Sequence, residues 1–327
     1  MASFRQRSNK WQARVSRDGY PDQVKTFEAR VDAERWARSV EAEMDKGAFV
    51  DTQEAQRTTL RELILRYAQE VTPTTKSLTE DTYRLKALAR RPIADWSLTN
   101  LSAARIAAYR DLRLKEVSNG TVIRELAYLS SIINHARREW GINIQNPTQH
   151  VRKPATPAGR TRKLSKDETN KLFNALEPTG RQNIWVLPVV RLALETAMRR
   201  SEILGLRWEN IDLIRQTAFL PDTKNGTSRT VPLSAAAVEV LRSLPRNISG
   251  VVFPIHSFTL SAAFKRAVKR SGLIDFHFHD LRHSAITAMA HKLPNLIELS
   301  AVTGHKSLAM LKRYYHPSIE DLARKLG

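Results

Sequence analysis

No cysteine occurs in the 327 residues, which excludes disulfides, thiolate metal sites and thiol nucleophiles. Long apolar runs are also missing. The most apolar stretch, "IWVLPVVRLALETAM" (184–198), is broken by Pro188 and Arg191 and is too short to cross a bilayer. The opening "MASFRQRSNK" lacks the apolar segment of a secretory signal, so a soluble, cytoplasmic protein with no membrane partner is expected. Blocks of like charge, internal repeats and low-complexity segments are absent as well. What the chain does have is surplus cation: 53 Lys and Arg against 33 Asp and Glu, a formal net charge of +20. Spread through foldable sequence rather than gathered in a tail, this charge favours a polyanionic partner, and double-stranded DNA fits.

The periodicity predicts a mainly α protein with small β elements. In residues 1–50, "KWQARVSR" and "DQVKTFEA" alternate as strands around Asp18-Gly19, and "VDAERWARSVEAEMDKG" reads as a helix capped by Asp32 and stopped at Gly47. Residues 58–140 read as helical throughout, with four segments that keep a 3.6-residue apolar period. The last of them buries Ile123, Leu126, Leu129, Ile133 and Ala136 and turns Arg124, Arg137 and Arg138 outward, toward either solvent or phosphates. Residues 148–163, rich in proline and basic side chains including Arg152 and Lys153, read as a basic linker able to lie along DNA. Residues 164–327 are expected to be a mainly α domain with one β-hairpin, "QTAFLPDTKNGTSRTVPLS", turning at Asn225-Gly226.

Four groups in this last region carry candidate chemistry. Arg199 and Glu202 lie three apart and can pair on one helix face. Lys224 sits at the hairpin tip, where a lysine is ordinarily solvated yet can present a flexible ammonium to a groove. "FHFHDLRHSAIT" (276–287) holds His277, His279, Arg282 and His283. Three histidines raise the question of a metal, but there is no H-E-x-x-H pattern and a guanidinium among them repels a cation, so no metal is expected. Last comes "GHKSLAMLKRYYH" (304–316), read as a helical stretch, with His305 and two adjacent tyrosines. Tyr314 and Tyr315 would point about 100° apart on a helix, so they cannot serve one surface. Two arginines, a lysine and two histidines suit a phosphorane-like transition state, and a tyrosine supplies a nucleophile.

In this order, Arg199, Lys224, His279-x-x-Arg282, His305 and Tyr314 resemble the catalytic signature of the tyrosine recombinases, the phage integrase family. "TAMRRSEILGLRW" is similar to the first arginine box, "HDLRHSAIT" to the H-x-x-R box and "TGHKSLAMLKRYYH" to the terminal box. The family commonly sets its last histidine and its tyrosine nine positions apart, the spacing of His305 and Tyr314, which leaves Tyr315 as the neighbour. The resemblance extends more loosely over 58–147, similar to a helical core-binding domain, and weakly over 1–50, similar to an arm-type DNA-binding domain. Ala197 stands where the family usually has glycine; alanine's helix propensity predicts only a modest local change. Thr303 stands where an apolar residue is common.

The resemblance implies a site-specific recombinase of mobile genetic elements, metal- and ATP-independent and needing no cofactor. It cleaves and rejoins DNA through a 3′-phosphotyrosyl link made by Tyr314. Arg199 and Arg282 would hold the non-bridging oxygens, Lys224 would protonate the leaving 5′-oxygen, and His279 would assist proton transfer at the tyrosine. His305 would donate to the phosphate, with Glu202 orienting its basic neighbours. A homotetramer on two DNA sites, with accessory DNA-bending or directionality proteins, would follow. A phenol of pKa about 10 is ionised to roughly one part in a thousand at neutral pH, a deficit of about 4 kcal/mol for the site to recover. The tail "HPSIEDLARKLG" is amphipathic and packs either on its own domain or on a neighbour. Rival readings are a type IB topoisomerase-like nicking-resealing enzyme, a non-catalytic DNA-binding protein on the same fold, and a metal-dependent nuclease.

Overall fold

The computed structural model describes residues 2–49, 51–75, 78–178, 183–221, 228–315 and 319–327. The chain divides into two compact units, 1–158 and 159–327. Among the described residues, no helix is long and apolar enough to cross a membrane.

The first unit opens with a three-stranded antiparallel sheet, β1 (Ala2–Arg7), β2 (Lys10–Val15) and β3 (Gln23–Phe27), in that spatial order. The first hairpin is absent from the sequence expectation. It turns on Ser8 and Asn9, both at positive φ (44° and 59°), a conformation that suits a two-residue hairpin loop. Helix α1 (Arg30–Asp45) covers the sheet with Ala33, Ala37, Val40 and Met44, spaced to share one face. Its N-cap is Ala29, without a side-chain bond, so Asp32 lies in the first turn instead of capping the helix. There Asp32 contributes favourable charge at the N-terminus and lies 3.5 Å from Arg35 Nη1.

After α2 (Gln53–Arg57) come α3 (Leu60–Glu70), α4 (Leu78–Ala89), α5 (Ala103–Glu116) and α6 (Asn119–Glu139). Thr59 and Glu62 start α3 reciprocally: the Thr59 N–H donates to Glu62 at 2.7 Å, and the Glu62 N–H to the Thr59 hydroxyl at 3.3 Å. On α6 the inward residues are Val122, Leu126, Leu129, Ile132, Ile133 and Ala136, so Ile123 only flanks the core face. Arg124, Arg137, Arg138, Arg152 and Lys153 are all exposed. One buried ion pair went unread in the sequence: Arg113, 4% exposed, donates to both oxygens of Glu125 at 2.6 and 2.9 Å, and the Tyr109 hydroxyl adds a bond of 2.7 Å. Asn146 ties the following turn to α6 through Ser130 Oγ at 2.9 Å and Asn134 Oδ1 at 3.0 Å. Val151 still belongs to this core, so packing continues into the stretch read as linker.

The second unit is built on α8 (Val186–Thr196), whose Val186, Leu187, Val189, Val190, Leu192 and Ala193 are all buried. Around it pack α7 (Lys166–Leu176), α10 (Ala235–Arg242), α11 (Ser257–Arg270) and α12 (Phe278–Lys292). The short α9 (Arg200–Leu204) follows α8. The β segment is a three-stranded sheet, because β4 (Ile211–Asp212) adds to the hairpin of β5 (Thr217–Leu220) and β6 (Arg229–Pro232). The hairpin tip, with Lys224, Asn225 and Gly226, lies outside the described residues. After α13 (Leu296–Thr303) the chain forms two 3-10 turns, Leu308–Met310 and Lys312–Tyr314, in place of the expected helix. The final α14 (Ile319–Leu326) leaves Ile319 and Leu326 exposed.

Candidate active site

The site begins where α8 ends. Ala197 stops the helix in the left-handed conformation (φ 51°, ψ 19°) and is fully buried. The expectation from helix propensity therefore addressed the wrong state. At this position alanine carries a backbone penalty of about 1–2 kcal/mol that glycine lacks. The turn aims the Ala197 carbonyl at Arg282 and delivers Arg199 to the N-cap of α9.

Glu202, 6% exposed, is the hub. Arg199 donates to it twice, from Nη1 at 2.7 Å and from its backbone N–H at 2.8 Å. Arg229 on β6 forks onto the same carboxylate at 2.9 and 2.8 Å. Burial alone would raise the Glu202 pKa. The Arg229 fork and the Arg199 bonds outweigh it and hold the carboxyl at about 2. Arg229 was missed in the sequence. Its guanidinium also crosses Gly304 (φ 69°), where an added β-carbon would lie 2.8 Å from Cζ.

Arg282, 4% exposed, donates from Nη1 to the Ala197 carbonyl and from Nη2 to the Thr303 carbonyl at 2.6 Å. Burial first, and Arg199 second, lower its pKa to about 10, so it keeps its charge at neutral pH. A guanidinium has five N–H donors, so two carbonyls do not exhaust it. Three guanidiniums around one carboxylate leave the pocket with an excess of about two positive charges, an arrangement suited to a phosphodiester gaining charge.

His305 is oriented by Thr303. The Thr303 hydroxyl donates to the Leu299 carbonyl at 2.6 Å, and its oxygen lies 2.7 Å from His305 Nδ1. A hydroxyl has one proton, so Nδ1 must be the donor and Nε2 is left facing the pocket. Burial, with Arg282 and Arg199 nearby, lowers the His305 pKa to about 4. Tyr314 is half-buried, 6.4 Å from the His305 ring, and burial raises its pKa against the fields of Arg313 and Arg282.

The hydroxyl of Tyr314 is hydrogen-bonded to His283 Nδ1, whereas the expectation gave this neighbourhood to His279. His279 is exposed, one helical turn earlier, with its ring edge-on to His283 at 5.1 Å. His277 points elsewhere, within 3.7 Å of Asp275 and 3.5 Å of Asp280. Asp280 is fully buried and caps α12 by accepting the His277 N–H at 2.8 Å. It also takes Arg160 of the basic stretch, by two bonds of 2.9 Å. Arg313, beside the tyrosine, donates to the Arg160 carbonyl. The structure thus brings Arg199, Glu202, Arg282, His305 and Tyr314 together with the unread Arg229, while Lys224 lies outside the described residues.

The profile of the Phage integrase family matches residues 162–320, and that of the phage integrase N-terminal domain matches 56–154. A shufflon-specific DNA recombinase of Escherichia coli is 41% identical over 270 residues, covering 80% of this chain and 70% of that protein. Lambda integrase, solved as a dimer bound to a COC′ core site, superposes with a TM-score of 0.67 at 22% identity, covering 79% of this chain and 96% of that one. Lambda integrase solved as a tetramer bound to a Holliday junction gives a TM-score of 0.67 at 21% identity, covering 94% and 93%. At such identities the structural likeness speaks for the fold. With two profiles spanning most of its length and a relative at 41% identity, the chain belongs to the phage integrase family of tyrosine recombinases.

Proposed function

We propose that this protein is a site-specific DNA recombinase that cuts and rejoins duplex DNA by transesterification at Tyr314. The observation that carries the reading is the convergence of the Tyr314 hydroxyl, Arg199, Arg282 and His305 on one cation-rich pocket around Glu202. In the forward step Oη of Tyr314 bonds to phosphorus and the bond from phosphorus to the 5′-oxygen breaks, with Lys224 supplying the proton to that oxygen. Arg199 and Arg282 neutralise the non-bridging oxygens, and His305 donates to the phosphate from Nε2 once the bound anion raises its pKa and that nitrogen takes up a proton. The reverse step uses a 5′-hydroxyl from another strand. One phosphate ester replaces another throughout, so no nucleotide energy source is consumed.

Partner exchange calls for four protomers on two sites, and the lambda integrase tetramer on a Holliday junction supports that assembly. The exposure of Ile319 and Leu326 on α14 favours docking of the tail on another protomer. Residues 1–50 act as an arm-type DNA-contacting module, 58–147 as the core-binding domain and 148–163 as the basic connection to the catalytic domain. The exposed Arg124, Arg137, Arg138, Arg152 and Lys153 hold the DNA backbone. Accessory DNA-bending or directionality proteins set the outcome. The test is a duplex nicked beside the cleavage point, which traps the covalent complex. Tyr315→Phe forms the adduct and Tyr314→Phe binds without forming it; an adduct on Tyr314→Phe refutes the assignment.

A further inference from the structure

Helix α12 carries three chemically active side chains within two turns, and they diverge. Arg282 goes inward to the carbonyls of Ala197 and Thr303. One residue further along a helix the side chain is turned by about 100°. His283 therefore leaves α12 on another face, which it shares with His279 four residues earlier. The His283 ring lies nearly parallel to the Tyr314 ring, with centroids 5.7 Å apart and planes at 26°. Its Nδ1 is bonded to the Tyr314 hydroxyl, the oxygen that has to lose a proton before it can become a phosphate ester.

We propose that His283 is the proton acceptor for Tyr314, which deepens the recombinase reading and rests on it. As Oη bonds to phosphorus, the phenolic proton passes to His283 Nδ1 while the pair of electrons of the O–H bond stays on oxygen. The imidazolium returns that proton to Oη when the 5′-hydroxyl of the joining strand displaces the tyrosine. His305 is the more distant imidazole, its ring centroid 6.4 Å from that of Tyr314 against 5.7 Å for His283, whose Nδ1 is the atom bonded to the hydroxyl. His279 reaches the pair through the edge of the His283 ring.

The groups facing His283 are His279, Asp280 and Arg282 of its own helix, Arg313 and Tyr314 of the terminal turns, and His305. Burial, then His279 and Arg313, lower its pKa to about 4, so the ring is neutral and its Nδ1 lone pair is open to a proton. A weakly basic imidazole cannot strip a phenol beforehand. It can accept the proton in concert with attack, once the phosphodiester's negative charge offsets the neighbouring guanidiniums.

The test is single-turnover formation of the covalent complex on the nicked duplex, from pH 6 to 9, with the full chain. His283→Asn keeps an oxygen acceptor near the Nδ1 position but cannot take a proton. It should bind DNA as the parent does and lose about 10²–10⁴-fold in cleavage at pH 7. Its rate should then climb roughly tenfold per pH unit as hydroxide substitutes for the base, a steeper rise than the parent shows. His279→Asn keeps the acceptor itself and should show no such steep rise with pH. Cleavage by His283→Asn within about threefold of the parent, or a uniform loss with an unchanged pH profile, overturns the proposal. So does a steep profile in His279→Asn instead. His283→Gln is judged by the same criteria where the asparagine variant fails to bind DNA. A parent chain that forms no adduct at all fails the recombinase reading itself, which separates the two failures.

Discussion

Arg229 lies across Gly304, with its guanidinium carbon 2.8 Å from where a β-carbon at position 304 would stand. This contact joins β6, the second strand of the hairpin, to the start of the terminal box. Gly304→Ala therefore meets two penalties: the positive φ of 69°, and a guanidinium that is held on Glu202 by two bonds and has little freedom to retreat. Gly47, at φ 64° with nothing within 4 Å, isolates the first penalty. Gly47→Ala should lose about 1–2 kcal/mol of stability. Gly304→Ala should lose more, and should slow covalent-complex formation as well. Thermal unfolding and the nicked-duplex assay read the two effects, and equal losses at both positions would remove Arg229 from the account.

Arg229 itself should behave as a structural member of the site. Arg229→Met leaves Glu202 buried against Arg199 alone, and removing one partner of a buried pair typically costs about 3–5 kcal/mol. Adding Glu202→Gln takes away the stranded charge, so the double variant should recover stability. Cleavage should stay low in the double variant, because Arg199 then has no carboxylate to fix its orientation. Chemical denaturation of the two single variants and the double gives the coupling directly.

Much of this site was legible because its chemistry depends on residue type and spacing. The nine-residue step from His305 to Tyr314 and the three-residue step from His279 to Arg282 survive in the linear sequence. What was not legible depends on direction. Arg229 is one arginine in an alternating strand, a pattern that looks like a solvated edge until the sheet is placed beside α9. His283 was visible only as a possible metal ligand, because nothing in the sequence tells which of two histidines four apart reaches a tyrosine thirty-one residues later. Ala197 misled through propensity, which describes helix interiors and is silent on the residue that ends a helix in the left-handed region. In the first unit, the alternation of β2 was clear, while β1 was hidden because its exposed face carries almost no apolar pattern.

The histidine pocket gives a pH signature. His283 and His305 titrate near 4 when folded against about 6.5 when unfolded, so between these values the unfolded chain binds more protons. Without DNA, stability should be complete above pH 6.5 and fall as the pH drops from 6.5 toward 4. Glu202, held at about 2, contributes its own loss only below about 4.5. His305→Gln should flatten the upper part of the fall. A bound phosphate beside Nε2 should raise the His305 pKa, so DNA binding near pH 5–6 should take up protons. Titration calorimetry in buffers of different ionisation enthalpy measures that uptake, which should shrink in His305→Gln. An uptake identical in the variant places the proton elsewhere.

The leaving group gives the last test, at Lys224. An alkoxide leaves poorly, so cleavage needs a proton at the 5′-oxygen as its bond to phosphorus breaks. Arg199 and Arg282 are anchored to Glu202 and to the carbonyls of Ala197 and Thr303, where they suit the non-bridging oxygens. A lysine placed by the sequence at a hairpin tip can present its ammonium to the 5′-oxygen. Lys224→Ala should therefore lose cleavage of ordinary DNA and regain it on a substrate with sulfur at the bridging 5′ position. A thiolate departs without a proton, since the pKa of a cysteine-like thiol is about 8.5. Arg199→Ala should show no such rescue, because its charge acts on other oxygens. Cleavage of ordinary DNA by Lys224→Ala, or failure on the sulfur substrate, would reduce Lys224 to a phosphate anchor and leave the proton to another group in the pocket.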